Sequence, residues 1–221
     1  MAITLLTEKL WFPPVETASL DGLLAIGGDL QPERILLAYQ SGIFPWYDGD
    51  LPLWWFPNPR FVLLPNELKI SKSMQQLIKQ NKFKVTVNNA FSEVIKNCKN
   101  CIRKDQEGTW INEEVVNAYT QLHKMGYAHS VEAWQNNELV GGLYGIMMGQ
   151  VFFGESMFSL KSNAGKYAFI SYVQQLAKEG VALIDCQVYT KHLESLGAKM
   201  IMKEQFSQLL KHFLHSTQIN K

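Results

Sequence analysis

Three short runs of alternating apolar residues follow one another at 128–134, 139–147 and 151–157. Only Asn136-Asn137 and Gly149-Gln150 separate them. Turns that tight between strands that close leave one economical topology, an antiparallel meander. Helical signals lie on both sides of it. Pro32 suits a first helical turn and Gly42 a helix end, while Gln31 is a poor cap, so this helix starts loosely. Ser71 predicts a helix to about 80. Asn112, followed by Glu113 and Glu114, predicts one that stops at Gly126, and Asn163 caps a long one that stops at Gly180. Strands at 61–64, 83–87, 183–188 and 199–202, with helices at 90–99, at 191–196 and from Glu204, complete the order. The fold class is α+β, a mostly antiparallel sheet with helices packed on its faces.

Residues 1–60 hold seven of the eight prolines and four of the six tryptophans, so short helices and rigid turns are expected there. A small N-terminal domain, 1–60, therefore precedes a larger one, 61–221. The aromatics at 44–47 and 54–56 form either a satellite core or one wall of a pocket against the larger domain. A net charge of +1 over 221 residues gives no global pull on polyanions, so any nucleic-acid contact must be a local patch. Lys69, Lys72, Lys79, Lys82 and Lys84 fall in one stretch without an acid. That stretch is either a solvated helix face or a phosphate-binding surface. Residues 1–10 lack the basic and apolar regions of a secretory leader. The apolar run 139–148 is about half of what a membrane span needs. No membrane association and a cytoplasmic location are expected.

Candidate chemistry centres on LIDCQV at 183–188, where Asp185 and Gln187, two residues apart, share one face of a strand. Either the pair satisfies backbone groups beside a sheet edge, or it holds a substrate amine. A second embedded carboxylate, Glu155 in GESMFS, favours the second reading. Cys98-x-x-Cys101 has no second ligand pair, the histidines lack metal spacing, and no phosphate loop or dinucleotide fingerprint occurs. Neither a metal nor a cofactor is expected.

GLLAIGGDL (22–30), AYQSGIFPW (38–46), WWFPNPR (54–60), GTWI (108–111), GESMFS (154–159) and LIDCQV resemble, collinearly, the bacterial leucyl/phenylalanyl-tRNA–protein transferases. The resemblance implies a C-terminal domain like the GCN5-related N-acetyltransferases. It also implies transfer of Leu or Phe, less well Met, from aminoacyl-tRNA to the N-terminal Arg or Lys of proteins, marking them for N-degron degradation by a monomeric enzyme. By motif, Asp185 and Gln187 hold the acceptor amine and Glu155 supports them. Trp46, Trp110, Phe152, Met157 and Ile184 enclose the Leu or Phe side chain. Ile184 fits only if the strand departs from strict alternation. Tyr39 places the terminal adenosine, and Lys69, Lys72, Lys79 and Lys82 meet the tRNA. The chain departs from the family in using lysines and glutamines at 69–84 and in extra residues at 99–102.

An aminoacyl ester is already activated, so no covalent intermediate is needed, which agrees with the lack of a nucleophile with a paired base. Two other readings compete. One is an acyl-CoA-dependent N-acyltransferase, for which KSNAGK at 161–166 fits a pyrophosphate cradle only partly. The other is a tRNA-binding module without activity, which leaves the embedded acids unexplained.

Overall fold

The computed structural model describes residues 3–101 and 110–215. The insertion at 99–102 and the GTWI stretch lie partly outside the described residues. In chain order the elements are β1 (Thr4–Leu6), β2 (Leu23–Gly27), α1 (Pro32–Gln40), β3 (Phe44–Pro45), β4 (Leu53–Trp55) and β5 (Arg60–Leu63). They continue with α2 (Lys72–Lys79), β6 (Lys84–Val87), α3 (Phe91–Asn100), α4 (Glu113–Lys124), β7 (Ala128–Gln135), β8 (Glu138–Met148) and β9 (Val151–Ser159). The last are α5 (Ala164–Lys178), β10 (Leu183–Gln187), α6 (Lys191–Glu194), β11 (Lys199–Ile201) and α7 (Lys203–His215).

The expected meander forms: β7, β8 and β9 pair antiparallel in sequence. Asn136 and Asn137 both take left-handed backbone angles, as a two-residue turn of this kind requires. These strands sit in a seven-stranded sheet of order β11-β5-β10-β9-β8-β7-β6, and a four-stranded sheet of order β1-β2-β4-β3 is built from the chain before it. The large sheet is antiparallel except where β10 runs parallel to β9. No helix among the described residues is long and apolar enough to cross a membrane.

Caps explain where most helices begin. Ser71 Oγ accepts from Met74 N at 3.3 Å, and Asn112 Oδ1 from Val115 N at 2.9 Å. Asn163 corrects the expectation, because it makes no side-chain cap and sits in a left-handed conformation. Ser159 Oγ takes over by accepting from Gly165 N at 2.8 Å, a contact so close that a Cβ on Gly165 would strike that oxygen. The buried Glu132 does the same for α3: it accepts from Ala90 N at 3.3 Å, and from Ser130 Oγ at 2.6 Å and Thr86 Oγ1 at 2.5 Å.

Two apolar clusters flank the large sheet. One, with α5 and α2, holds Leu143, Phe152, Phe169, Ile184 and Cys186. The other, with α3, α4 and α7, is continuous with the small sheet and holds Tyr39, Phe44, Trp54, Trp110, Tyr119, Tyr144, Phe153 and Phe206. The N-terminal aromatics thus serve both proposed roles. Trp54 is fully buried, whereas Trp46 is 37% exposed and faces a cavity.

Candidate functional site

The cavity, about 830 Å³, opens where β9 and β10 part. The two strands pair only through Phe153 and Asp185, after which each carries an irregularity. In β9, Gly154 faces Gly145 and Ser156 faces Tyr144, leaving Glu155 as an extra residue. In β10, Asp185 faces Val62 and Gln187 faces Phe61, leaving Cys186 extra. A bulge re-aims the side chains around it. Gln187 takes a left-handed φ of 64°, an uncommon conformation for a side-chain-bearing residue. Gly145 is needed opposite, since a Cβ there would collide with the Phe153 carbonyl and the Phe152 ring.

The two bulges point Glu155 and Gln187 at each other. Gln187 Nε2 donates to Glu155 Oε1 at 2.8 Å, and Tyr119 Oη donates to Glu155 Oε2 at 3.1 Å. Tyr39 Oη lies 2.5 Å from Tyr119 Oη. Burial pushes the Glu155 carboxyl up to about 7, against the pull of hydrogen bonds from Tyr39, Gln187 and Tyr119. Glu155 is therefore poised between acid and carboxylate at neutral pH, and it stays partly open to the cavity.

Asp185 is placed differently from the sequence expectation. It does not share a face with Gln187, because the bulge between them breaks the alternation. Its carboxylate is sealed, 0% exposed, and is absent from the cavity wall. Arg60 holds it with two bonds, Nε to Oδ1 at 2.8 Å and Nη2 to Oδ2 at 2.6 Å. Gln187 N donates to the same Oδ1 at 2.9 Å. Arg60 is itself 0% exposed and lies 4.8 Å from the Phe44 ring centroid and 4.6 Å from that of Phe206. The pair braces the backbone at Gln187 from behind the cavity, and an amine in the cavity does not reach it.

The remaining expected residues divide. Trp46, Trp110, Met157 and Ile184 line the cavity. Trp110 belongs to one core cluster and Ile184 to the other, with Met157 packed against the latter, so these residues form facing walls and do not make one closed ring. Ile184 needs no departure from alternation: the register is regular through Asp185, and the two residues take opposite faces, Ile184 on the cavity wall and Asp185 behind it. Phe152 is off the wall, fully buried against Tyr172 at 5.2 Å between centroids, and supports the chamber from beneath. Tyr39 is also 0% exposed and offers nothing to an adenosine; its place is beneath Glu155. Lys69, Lys72, Lys79 and Lys82 are all exposed, and none is in an ion pair among the described residues.

Arg60 and Tyr119 were missed. Arg60 had a signal: a sealed Asp needs a cation, and WWFPNPR delivers one directly into a strand. Tyr119 had none beyond its place on the apolar face of a helix. Lys166 and His192 also reach the wall, and burial followed by the Lys166 charge lowers His192 to about 4, keeping it neutral.

The family model described as leucyl/phenylalanyl-tRNA protein transferase matches residues 62–211, and the model of that family's N-terminal domain matches residues 28–58. A protein of Flavobacterium johnsoniae named leucyl/phenylalanyl-tRNA–protein transferase is 56% identical over 93% of this chain and 98% of its own length. One of the same name from Syntrophobacter fumaroxidans is 53% identical over 95% of this chain and 90% of its own. A solved GCN5-related N-acetyltransferase from Kribbella flavida superposes on 65% of this chain and 54% of its own, with a TM-score of 0.37 and 12% identity.

Proposed function

The chain belongs to the leucyl/phenylalanyl-tRNA–protein transferase family and is an aminoacyltransferase, and from that premise we propose that it moves Leu or Phe, less well Met, from aminoacyl-tRNA to the N-terminal Arg or Lys of acceptor proteins, marking them for N-degron degradation. The observation that carries the chemistry is the Glu155–Gln187 pair at the floor of the cavity, 2.8 Å apart. In this reading the amine nitrogen attacks the ester carbonyl, the new N–C bond forms and the bond from that carbon to the ribose oxygen breaks. The amine's proton passes to Glu155 and from there to the departing ribose hydroxyl.

The energetics favour Glu155 for that task. A free α-amine titrates at about 7.7–8.0, so roughly a tenth is neutral at pH 7. Glu155, at about 7, lies within about one unit of the amine, where general acid–base exchange is efficient. Gln187 fixes the direction of attack, and the Arg60–Asp185 pair fixes Gln187. Positioning supplies the larger share, since orientation alone is worth about 7–11 kcal/mol.

The two walls suit the two parts of the donor. Leu143, Met157, Phe169 and Ile184 give the cavity an apolar side that suits the side chain of Leu or Phe. Residues branched at Cβ bring their bulk next to the reacting carbonyl and fit less well, although one methylene separates substrates by only about 1–3 kcal/mol. Trp46 and Trp110 face it and offer ring surfaces on which a terminal base stacks. Residues 1–60 thus furnish part of one wall through Trp46, and 61–221 the rest of it, the chamber and its acid. In this reading the protein works as a monomer in the cytoplasm, where aminoacyl-tRNA is found.

Two measurements test the reading. Radiolabelled Leu-tRNA and a peptide beginning with Arg should yield leucyl-peptide, while acetyl-CoA yields no acetyl-peptide; the reverse result would move the protein to the acyl-CoA enzymes. Lys72 and Lys79, seven residues apart on α2, share a face. If the four lysines meet phosphates, the logarithm of Leu-tRNA affinity should fall against that of salt with a slope of about −3. Replacing all four by Ala should flatten it. An unchanged slope would remove the assignment.

A further inference from the structure

Glu155 is held by hydroxyls from two separate parts of the chain. Tyr119 comes from α4 and Tyr39 from α1, which belongs with the small sheet. Both are 0% exposed, and their oxygens are 2.5 Å apart. Tyr119 has one proton and gives it to Glu155, so Tyr39 donates to Tyr119 in turn and strengthens that donation. The chain of hydroxyls does not conduct protons to solvent. It ends in the core, where the Tyr39 ring packs 5.0 Å from that of Phe153. Burial first, then the charge of Glu155, holds both phenols well above their ordinary range, so neither titrates near neutrality.

We propose that Tyr39 and Tyr119 are positioning residues that keep Glu155 aimed at the acceptor amine and available as a carboxylate, which makes the N-terminal segment a working part of the acid–base apparatus. The inference rests on the transferase reading above. The other groups facing Glu155 are Gln187 and Asp185 from β10, the latter already neutralised by Arg60 from β5, and Tyr144 from β8 stands edge-on to Tyr119 at 5.5 Å. Among these, the phenols and the Gln187 amide favour the charged form, whereas burial and Asp185 oppose it. Removing a phenolic hydroxyl therefore raises the Glu155 pKa, and the ionised fraction at neutral pH falls.

Transfer from saturating Leu-tRNA to an Arg-starting peptide, followed from about pH 5.5 to 9 for the wild type, Tyr119→Phe and Tyr39→Phe, tests this. A rise of about one unit predicts that Tyr119→Phe loses roughly five-fold at pH 7 and less than about two-fold at pH 9. Its KM for Leu-tRNA should stay unchanged. Tyr39→Phe should move the acidic limb in the same direction, and it carries the test alone if Tyr119→Phe fails to fold. A loss by one factor at every pH, or no shift in either variant, overturns the proposal. If the wild type itself transfers no Leu, the transferase reading falls; if it does and the limb stays put, only this inference falls.

Discussion

Replacing Glu155 with Gln is expected to slow leucyl transfer by about a hundredfold or more, the usual worth of a positioned proton acceptor. Affinity for Leu-tRNA should stay close to that of the wild type. Gln keeps the shape and still meets Gln187 and Tyr119, but it cannot take a proton from the amine. The same variant should be more heat-stable at pH 8. The folded-state value of Glu155, about 7, lies above its ordinary 4.5. The native state is therefore not penalised below about pH 4.5; the penalty builds between about pH 4.5 and 7 and is complete above that. Its limit is about 3 kcal/mol, less to the extent that the cavity admits water. Melting temperature at pH 8 should rise in Glu155→Gln and be unchanged near pH 4. A variant that loses both transfer and stability at pH 8 would mark Glu155 as a structural acid.

Asp185→Asn should behave oppositely. It leaves the Arg60 guanidinium buried without its counter-charge, and breaking a sealed pair in this way costs about 3–5 kcal/mol. For a chain of this size that is roughly 6–20 °C in melting temperature. Transfer should fall too, because the Gln187 backbone loses its brace. Combining the change with Arg60→Met should recover much of the stability, since no lone charge is then buried among Phe44, Phe56 and Phe206 and the introduced amide oxygen can still accept from Gln187 N. If Asp185→Asn melted like the wild type while transfer stopped, Asp185 would have to meet the amine after all, and the assignment to Glu155 would fail.

The sequence made the meander, the helix starts and the two acids legible because those depend on local signals: period-two alternation, Asn and Ser caps, a carboxylate among apolar neighbours. The sealing of Asp185 was not legible. The extra residue at Cys186 sends Gln187 to the cavity while Asp185 keeps the opposite face, and a bulge has no compositional mark. Alternation put Asp185 and Gln187 on one face, whereas the folded strand turns them to different partners. Tyr39 was misplaced for a related reason. Its motif announces importance, but whether a tyrosine meets a substrate or supports the group that does is decided by α4, eighty residues along. The exposed lysines were readable as a patch because solvated charge needs no tertiary partner.

The paired bulges have one more consequence. A strand carries its side chains by parity, so losing a single residue at Glu155 or Cys186 would turn everything downstream in that strand over. A relative could keep both Glu and Gln and still be inert through a one-residue change of phase. In this architecture the count of residues between landmarks is as much a determinant of activity as their identity.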